Sequence, residues 1–154
     1  MDTFVFFDLE ETLIDEWDSF SLINIPKIKK LLKTFPNKTT FGLFSYAVHN
    51  QRDIDKFLSE KEFIENNFGF LFDKDFLYTV EELNGIFSKL SKTKSTMSDF
   101  FDFYKKENAF LLFSKLEIFH NSHIILVDDM VRDCEMFFPK TNTKVTLINA
   151  LDLN

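Results

Sequence analysis

Short apolar runs alternate with longer amphipathic stretches along the chain. Residues 4–7 (FVFF) form an apolar run too short for a helix and rich in β-formers, which predicts a buried strand. Asp8 falls where that strand ends, and Glu10, Glu11 and Thr12 follow in the exit turn. Residues 15–23 are polar with two exposed-looking rings, Trp17 and Phe20, and read as a loop or small flap. Pro26 opens a helix with Ile28, Leu31, Leu32 and Phe35 on one face and lysines around the rest. Residues 39–45 (TTFGLFS) are a second β-rich run, ending in Ser45. Asn50 or Asp53 caps the next helix, which residues 60–68 continue. Residues 70–72 and 76–78 predict a third strand with a turn at 73–75, and residues 80–90 a helix. After a polar loop, Ser98 caps a long, largely apolar helix running through Leu112. Residues 123–127 (HIILV) are the clearest strand and run into Asp128 and Asp129. A short helix over 131–137 and a last strand over 144–148 complete the pattern. Strands alternating with helices point to a mainly parallel α/β sheet.

The 154 residues suit one domain spanning 1–154. Phe supplies 22 of them, so the core is predicted to be built from large rings. Usage of Phe, Lys, Asn and Ile resembles that of an AT-rich genome, such as a phage or a low-GC bacterium. A formal charge of −7, with only Arg52 and Arg132 as arginines, argues against a broad nucleic-acid surface. It suits a cation site or a basic protein partner. One cysteine, Cys134, excludes an internal disulfide and predicts a reducing cytoplasm. The start, MDTFVFFDLEE, has neither a basic leader nor a long apolar stretch, so neither a signal peptide nor a membrane span is expected.

Three predicted strands end in polar groups: Asp8, Ser45 and Asp128-Asp129. In a parallel sheet all carboxyl ends share one edge, and neighbouring strands lie about 5 Å apart, so these groups can converge. Clustered carboxylates repel unless a cation sits between them, and oxygen-only ligands suit Mg²⁺. A carboxylate beside that ion can attack phosphorus and form an aspartyl phosphate.

The segments FFDLEETLI, FGLFS and HIILVDDMVRD, in this order, resemble the motifs of the haloacid dehalogenase-like (HAD) superfamily. The resemblance implies a three-layer, Rossmann-like fold with helices on both faces of the sheet. It makes Asp8 the nucleophile, and Asp8, Glu10, Asp128 and Asp129 the Mg²⁺ site, with Asp133 steadying the last loop. Thr12 orients the first loop and joins Ser45 in the phosphate-binding set. The family's lysine falls among Lys92, Lys94, Lys105 and Lys106, with Lys94 preferred because Lys105 and Lys106 sit within the predicted long helix. Glu10 replaces the Asp that serves related phosphatases as acid and base. Its extra methylene shifts the carboxyl by roughly a bond length, and misplacement on the order of 1 Å can cost about a hundredfold in rate. Tyr46 is bulkier than the residue usual after Ser45.

Only a short segment separates the first motif from its helix, so the chain resembles the capless type, whose open site suits phosphate on a large molecule. Two functions follow. One is a Mg²⁺-dependent phosphohydrolase acting on a nucleic-acid end, a nucleotide or a phosphoprotein. The other is a catalytically impaired binding module of phage origin, in size and character similar to the Alc-type transcription terminators of T-even phages, which act on host RNA polymerase. Trp17 and Phe20 are candidate partner-binding residues, and in either case the cytoplasm, a host's if phage, is the expected location.

Overall fold

The computed structural model describes residues 1–91, 100–102 and 104–154. Six strands form one sheet: β1 (Asp2–Phe7), β2 (Thr39–Phe44), β3 (Phe72–Tyr78), β4 (Ser122–Asp128), β5 (Cys134–Phe138) and β6 (Thr143–Asn149). Their order across the sheet is β3-β2-β1-β4-β6-β5. All neighbours are parallel except β5, which pairs antiparallel with β6. Four α-helices lie wholly among the described residues: α1 (Ile25–Leu32), α2 (Gln51–Phe68), α3 (Val80–Ser91) and α4 (Lys106–Phe113).

The pleat of β1 sorts its side chains to two faces. Val5 and Phe7 pack with Ile28 of α1 and with Ile54, Phe57 and Ile64 of α2. Phe4 and Phe6 pack with Leu83 and Phe87 of α3 and with Phe110 and Phe113 of α4. The architecture is therefore the three-layer, Rossmann-like α/β arrangement that the alternating pattern predicts. The second face is made of rings meeting edge to face, such as Phe6 with Phe113 at 5.2 Å and Phe44 with Phe110 at 5.3 Å. Among the described residues, no helix is long and apolar enough to cross a membrane.

Three expected elements differ. The 131–137 segment is not a helix: it is the edge strand β5, because Cys134, Met136 and Phe138 alternate with exposed Glu135 and Phe137 and the edge of β6 offers partners. The long helix over 98–112 is interrupted. Tyr104 and Lys105 are not helical, and Lys105 has an extended backbone (φ −63°, ψ 150°) from which α4 starts afresh. Residues 73–75 are not a turn between strands but an irregularity within β3. Phe41 and Leu43 of β2 pair with Phe72 and Leu77, so β3 carries extra residues there.

The first-strand exit, residues 9–23, is a packed flap, here called the tongue. The Leu9 carbonyl accepts from the amides of Thr12, Leu13 and Ile14, and Leu9, Leu13, Ile14 and Phe20 are buried. Glu11 takes a left-handed backbone (φ 61°), an uncommon conformation for a non-glycine residue. Asn50 caps α2 by accepting from the Asp53 amide, while Asp53 Oδ2 accepts from the His49 amide.

Candidate active site and metal centre

Asp8 directly follows β1, and Asp128 ends β4. The two strands pair Phe7 with Val127, and the Asp8 amide donates to the Val127 carbonyl at 3.0 Å, so the two carboxylates emerge side by side. Asp129 joins them: oxygens of Asp8, Asp128 and Asp129 all lie within 4.8 Å of one another. This is the carboxyl edge of the sheet, beside the strand where the order reverses from β2-β3 to β4-β6, a preferred place for ligands in open α/β sheets. Asp128 Oδ1 accepts from the Met130 amide at 2.7 Å, and Asp133 Oδ1 accepts from the Asn149 amide at 2.7 Å, pinning the β4–β5 loop to the end of β6.

The cationic member of the cluster is Lys106, the first residue of α4. Its Nζ lies 3.2 Å from Asp8 Oδ1 and 2.5 Å from Asp128 Oδ2, and the residue is buried. Lys94, preferred from the sequence, lies outside the described residues. The sequence hides the role of Lys106, because a continuous apolar pattern over 98–112 gives no sign that a helix begins at this residue. The two residues before it, Tyr104 and Lys105, are neither of the usual capping types nor Pro or Gly to mark a helix start.

Burial and neighbours set the protonation of these groups. Burial, opposed by Lys106 and helped by Asp128 and Asp129, raises the Asp8 carboxyl to about 7. Asp129 is also raised, chiefly by burial. Asp8, when protonated, shares a hydrogen bond with Asp129. Burial disfavours the Lys106 ammonium, but Asp8 and Asp128 more than offset that and hold it above the ordinary lysine value. With all four groups ionised, three carboxylates and one ammonium leave a formal charge of −2. A divalent cation held by Asp8, Asp128 and Asp129 would neutralise that remainder and favour their ionised forms. The all-oxygen donor set suits a hard ion. The cluster can therefore hold a metal ion.

The other sequence candidates are distributed around this core. Ser45 is buried at the end of β2, and its Oγ accepts from the Ala47 amide at 3.2 Å, which leaves its hydrogen to donate. Thr12 is buried with no hydrogen-bond partner for its Oγ1 among the described residues, while its carbonyl accepts from Asn24 Nδ2. Glu10 lies outside the three-carboxylate cluster. Its Oε2 accepts from the Trp17 amide at 2.9 Å. Trp17 is half-buried and Phe20 is only 8% exposed, so the pair is not the exposed aromatic surface its sequence suggests. Their rings meet at 5.7 Å, and Lys56 Nζ sits 4.6 Å from the Trp17 ring and donates to its carbonyl. Tyr46 donates to the Tyr104 carbonyl at 2.6 Å, and Lys106 Nζ stands 4.8 Å from its ring. Burial and the nearby Asp128 push the Tyr46 hydroxyl well above the ordinary tyrosine range, so it stays protonated.

A cavity of about 980 Å³ opens over Asp8, Lys106 and Asp129. Glu10, Glu11, Asp15, Glu16, Trp17 and Asp18 line it from the tongue. Lys105, Lys106, Glu107 and Asn108 line it from the first turn of α4, whose start has no side-chain cap. Glu107 accepts two bonds from the Arg132 guanidinium and one from its amide, closing that rim; these bonds hold the Glu107 carboxyl below the usual range.

Fold and site together define a three-layer α/β protein with an aspartate–lysine cluster able to hold a metal ion at the carboxyl edge of its sheet. Comparison with known proteins returns no match: no family model, no curated protein and no solved structure is significantly similar to this chain.

Proposed function

We propose that this chain is a Mg²⁺-dependent phosphohydrolase that works through a covalent phosphate on Asp8. The observation that carries the reading is Lys106, buried between Asp8 and Asp128 beside Asp129, at the floor of an open cavity. The order of motifs that resembles the HAD superfamily points to the same chemistry. A buried lysine whose charge is held by the attacking carboxylate's own neighbours also offers a fixed cation to phosphoryl oxygens.

In this reading a phosphate monoester enters with its phosphorus over Asp8. The Asp8 carboxylate attacks, a P–O bond to Asp8 forms, and the ester P–O bond breaks. The leaving oxygen takes a proton from Glu10. Oε1 of Glu10 has no partner among the described residues, while Oε2 stays on the Trp17 amide. Glu10 then removes a proton from water as the water oxygen attacks phosphorus, the Asp8–phosphate bond breaks, and orthophosphate leaves. Ser45 and the uncapped start of α4 offer donors to the phosphoryl oxygens. Mg²⁺ held by Asp8, Asp128 and Asp129 would supply positive charge against the transferred group.

A second reading, a binding module with impaired chemistry, draws on Glu10 being tied to the Trp17 amide and on Tyr46 standing against Lys106. There the acidic chain docks on a basic groove of a partner such as a host RNA polymerase. Turnover of a generic aryl phosphate with Mg²⁺ separates the two. Activity in the wild type that disappears in Asp8→Asn supports the phosphohydrolase. Inactivity in both, with activity gained in Glu10→Asp, supports the binding module.

A further inference from the structure

Resting on the phosphohydrolase reading, we infer that the substrate is a phosphorylated residue within a Lys- and Arg-rich protein segment, whose cations lie against the acidic tongue while its phosphate meets Asp8 and Lys106. The cavity is electrostatically two-sided. Its cations, Lys105, Lys106 and Arg132, come from the start of α4 and the β4–β5 loop, where Glu107 and the floor carboxylates Asp8 and Asp129 accompany them. The charged residues that the tongue contributes are all acids: Glu10, Glu11, Asp15, Glu16 and Asp18.

Internal bonds account for part of this charge. Asp15 Oδ1 accepts from the Glu16 and Ser21 amides, Glu10 holds the Trp17 amide, and Arg132 is paired with Glu107. Lys56, the lysine packed on the tongue, is engaged by the Trp17 carbonyl and ring. That leaves Glu11, Glu16 and Asp18, all exposed and with no ion pair among the described residues, on one wall of the cavity. Exposed carboxylates within a Debye length of roughly 10 Å reinforce one another. A nucleic-acid strand or a polyphosphate chain would bring its further negative charges against this wall. A basic peptide brings Lys or Arg to it and keeps its single phosphate at the floor, beside Lys106 and the Mg²⁺ that Asp8, Asp128 and Asp129 would hold. At about 980 Å³ the cavity is far larger than a phosphate group and has room for flanking side chains.

Steady-state kinetics with Mg²⁺ test this on four probes. These are an aryl phosphate, a phosphoserine peptide flanked by Arg and Lys, the same peptide flanked by Glu, and a 5′-phosphorylated oligonucleotide. The expected result is a kcat/KM about tenfold higher for the basic than for the acidic peptide. The advantage shrinks as NaCl rises from about 0.05 to about 0.5 M. In Glu16→Gln/Asp18→Asn the ratio of basic-peptide to aryl-phosphate kcat/KM falls several-fold. Aryl-phosphate turnover with no preference between the peptides, or with the oligonucleotide preferred, overturns this inference and leaves the phosphohydrolase standing. Absence of aryl-phosphate turnover in the wild type overturns both.

Discussion

Lys106 is the residue on which the site turns. Its ammonium is the only positive charge the described residues place between Asp8 and Asp128, and it is held there largely buried. Lys106→Met keeps much of the stem and removes the charge, leaving two buried carboxylates uncompensated. Removing one partner of a buried pair costs about 3–5 kcal/mol, and urea denaturation measures it. Aryl-phosphate turnover is expected to fall by more than about a hundredfold. Mg²⁺ is expected to raise the denaturation midpoint of this variant more than that of the wild type, because the cluster then carries one more uncompensated negative charge. The acids were legible in the sequence because each follows an apolar run that can only be a strand. The lysine was not, because it starts a helix, and its position in space is set by where α4 begins rather than by any run of its own.

At the scale of elements, the strands of the sheet interior read clearly and its edges did not. β1, β2, β4 and β6 are apolar runs whose burial leaves no other assignment. β5 sits at an edge with one face half-covered, so only its alternation marks it, and five residues of alternation are easily taken for one turn of a helix. The irregularity in β3 was equally hidden, since it depends on what lies opposite. Opposite it is Gly42, buried in β2. A Cβ there would fall 2.6 Å from the Phe76 carbonyl oxygen and 2.5 Å from Phe6 Cε1. The carbonyl belongs to the backbone of the bulged strand and cannot rotate away. Gly42→Ala is therefore expected to destabilise by at least about 1–3 kcal/mol, read by thermal melting, by forcing β3 off the sheet. At the other end of β2's connection, Asn50→Ala removes the cap of α2 and is expected to cost about 1 kcal/mol in the same measurement.

For the whole molecule, alternation of strand and helix was enough to give three layers, and an excess of acid was enough to suggest a cation. The structure adds that the two are coupled through pH. Asp8 has a folded value near 7 against an ordinary 3.8. A carboxyl raised by folding stabilises the folded state below its unfolded value and loses that contribution as pH rises through the folded one. Without a metal, Asp8 therefore weakens the fold progressively between about pH 4 and pH 7. A divalent cation reverses this by favouring the ionised form. The melting-temperature gain on adding Mg²⁺ is expected to be larger at pH 8 than at pH 5 and to be largely lost in Asp8→Asn, as differential scanning fluorimetry would record.

The tongue has a practical consequence. Trp17 is the one tryptophan of the chain, and its peptide unit is fastened at both ends, the amide on Glu10 and the carbonyl on Lys56. Trp17 lines the cavity within the same wall as Glu11, Glu16 and Asp18. The protein thus contains its own fluorophore at the mouth of the site, with no competing emission from another indole. Entry of a ligand, or release of the tongue when Glu10 is shortened to Asp, is expected to change the intensity or wavelength of that single emission.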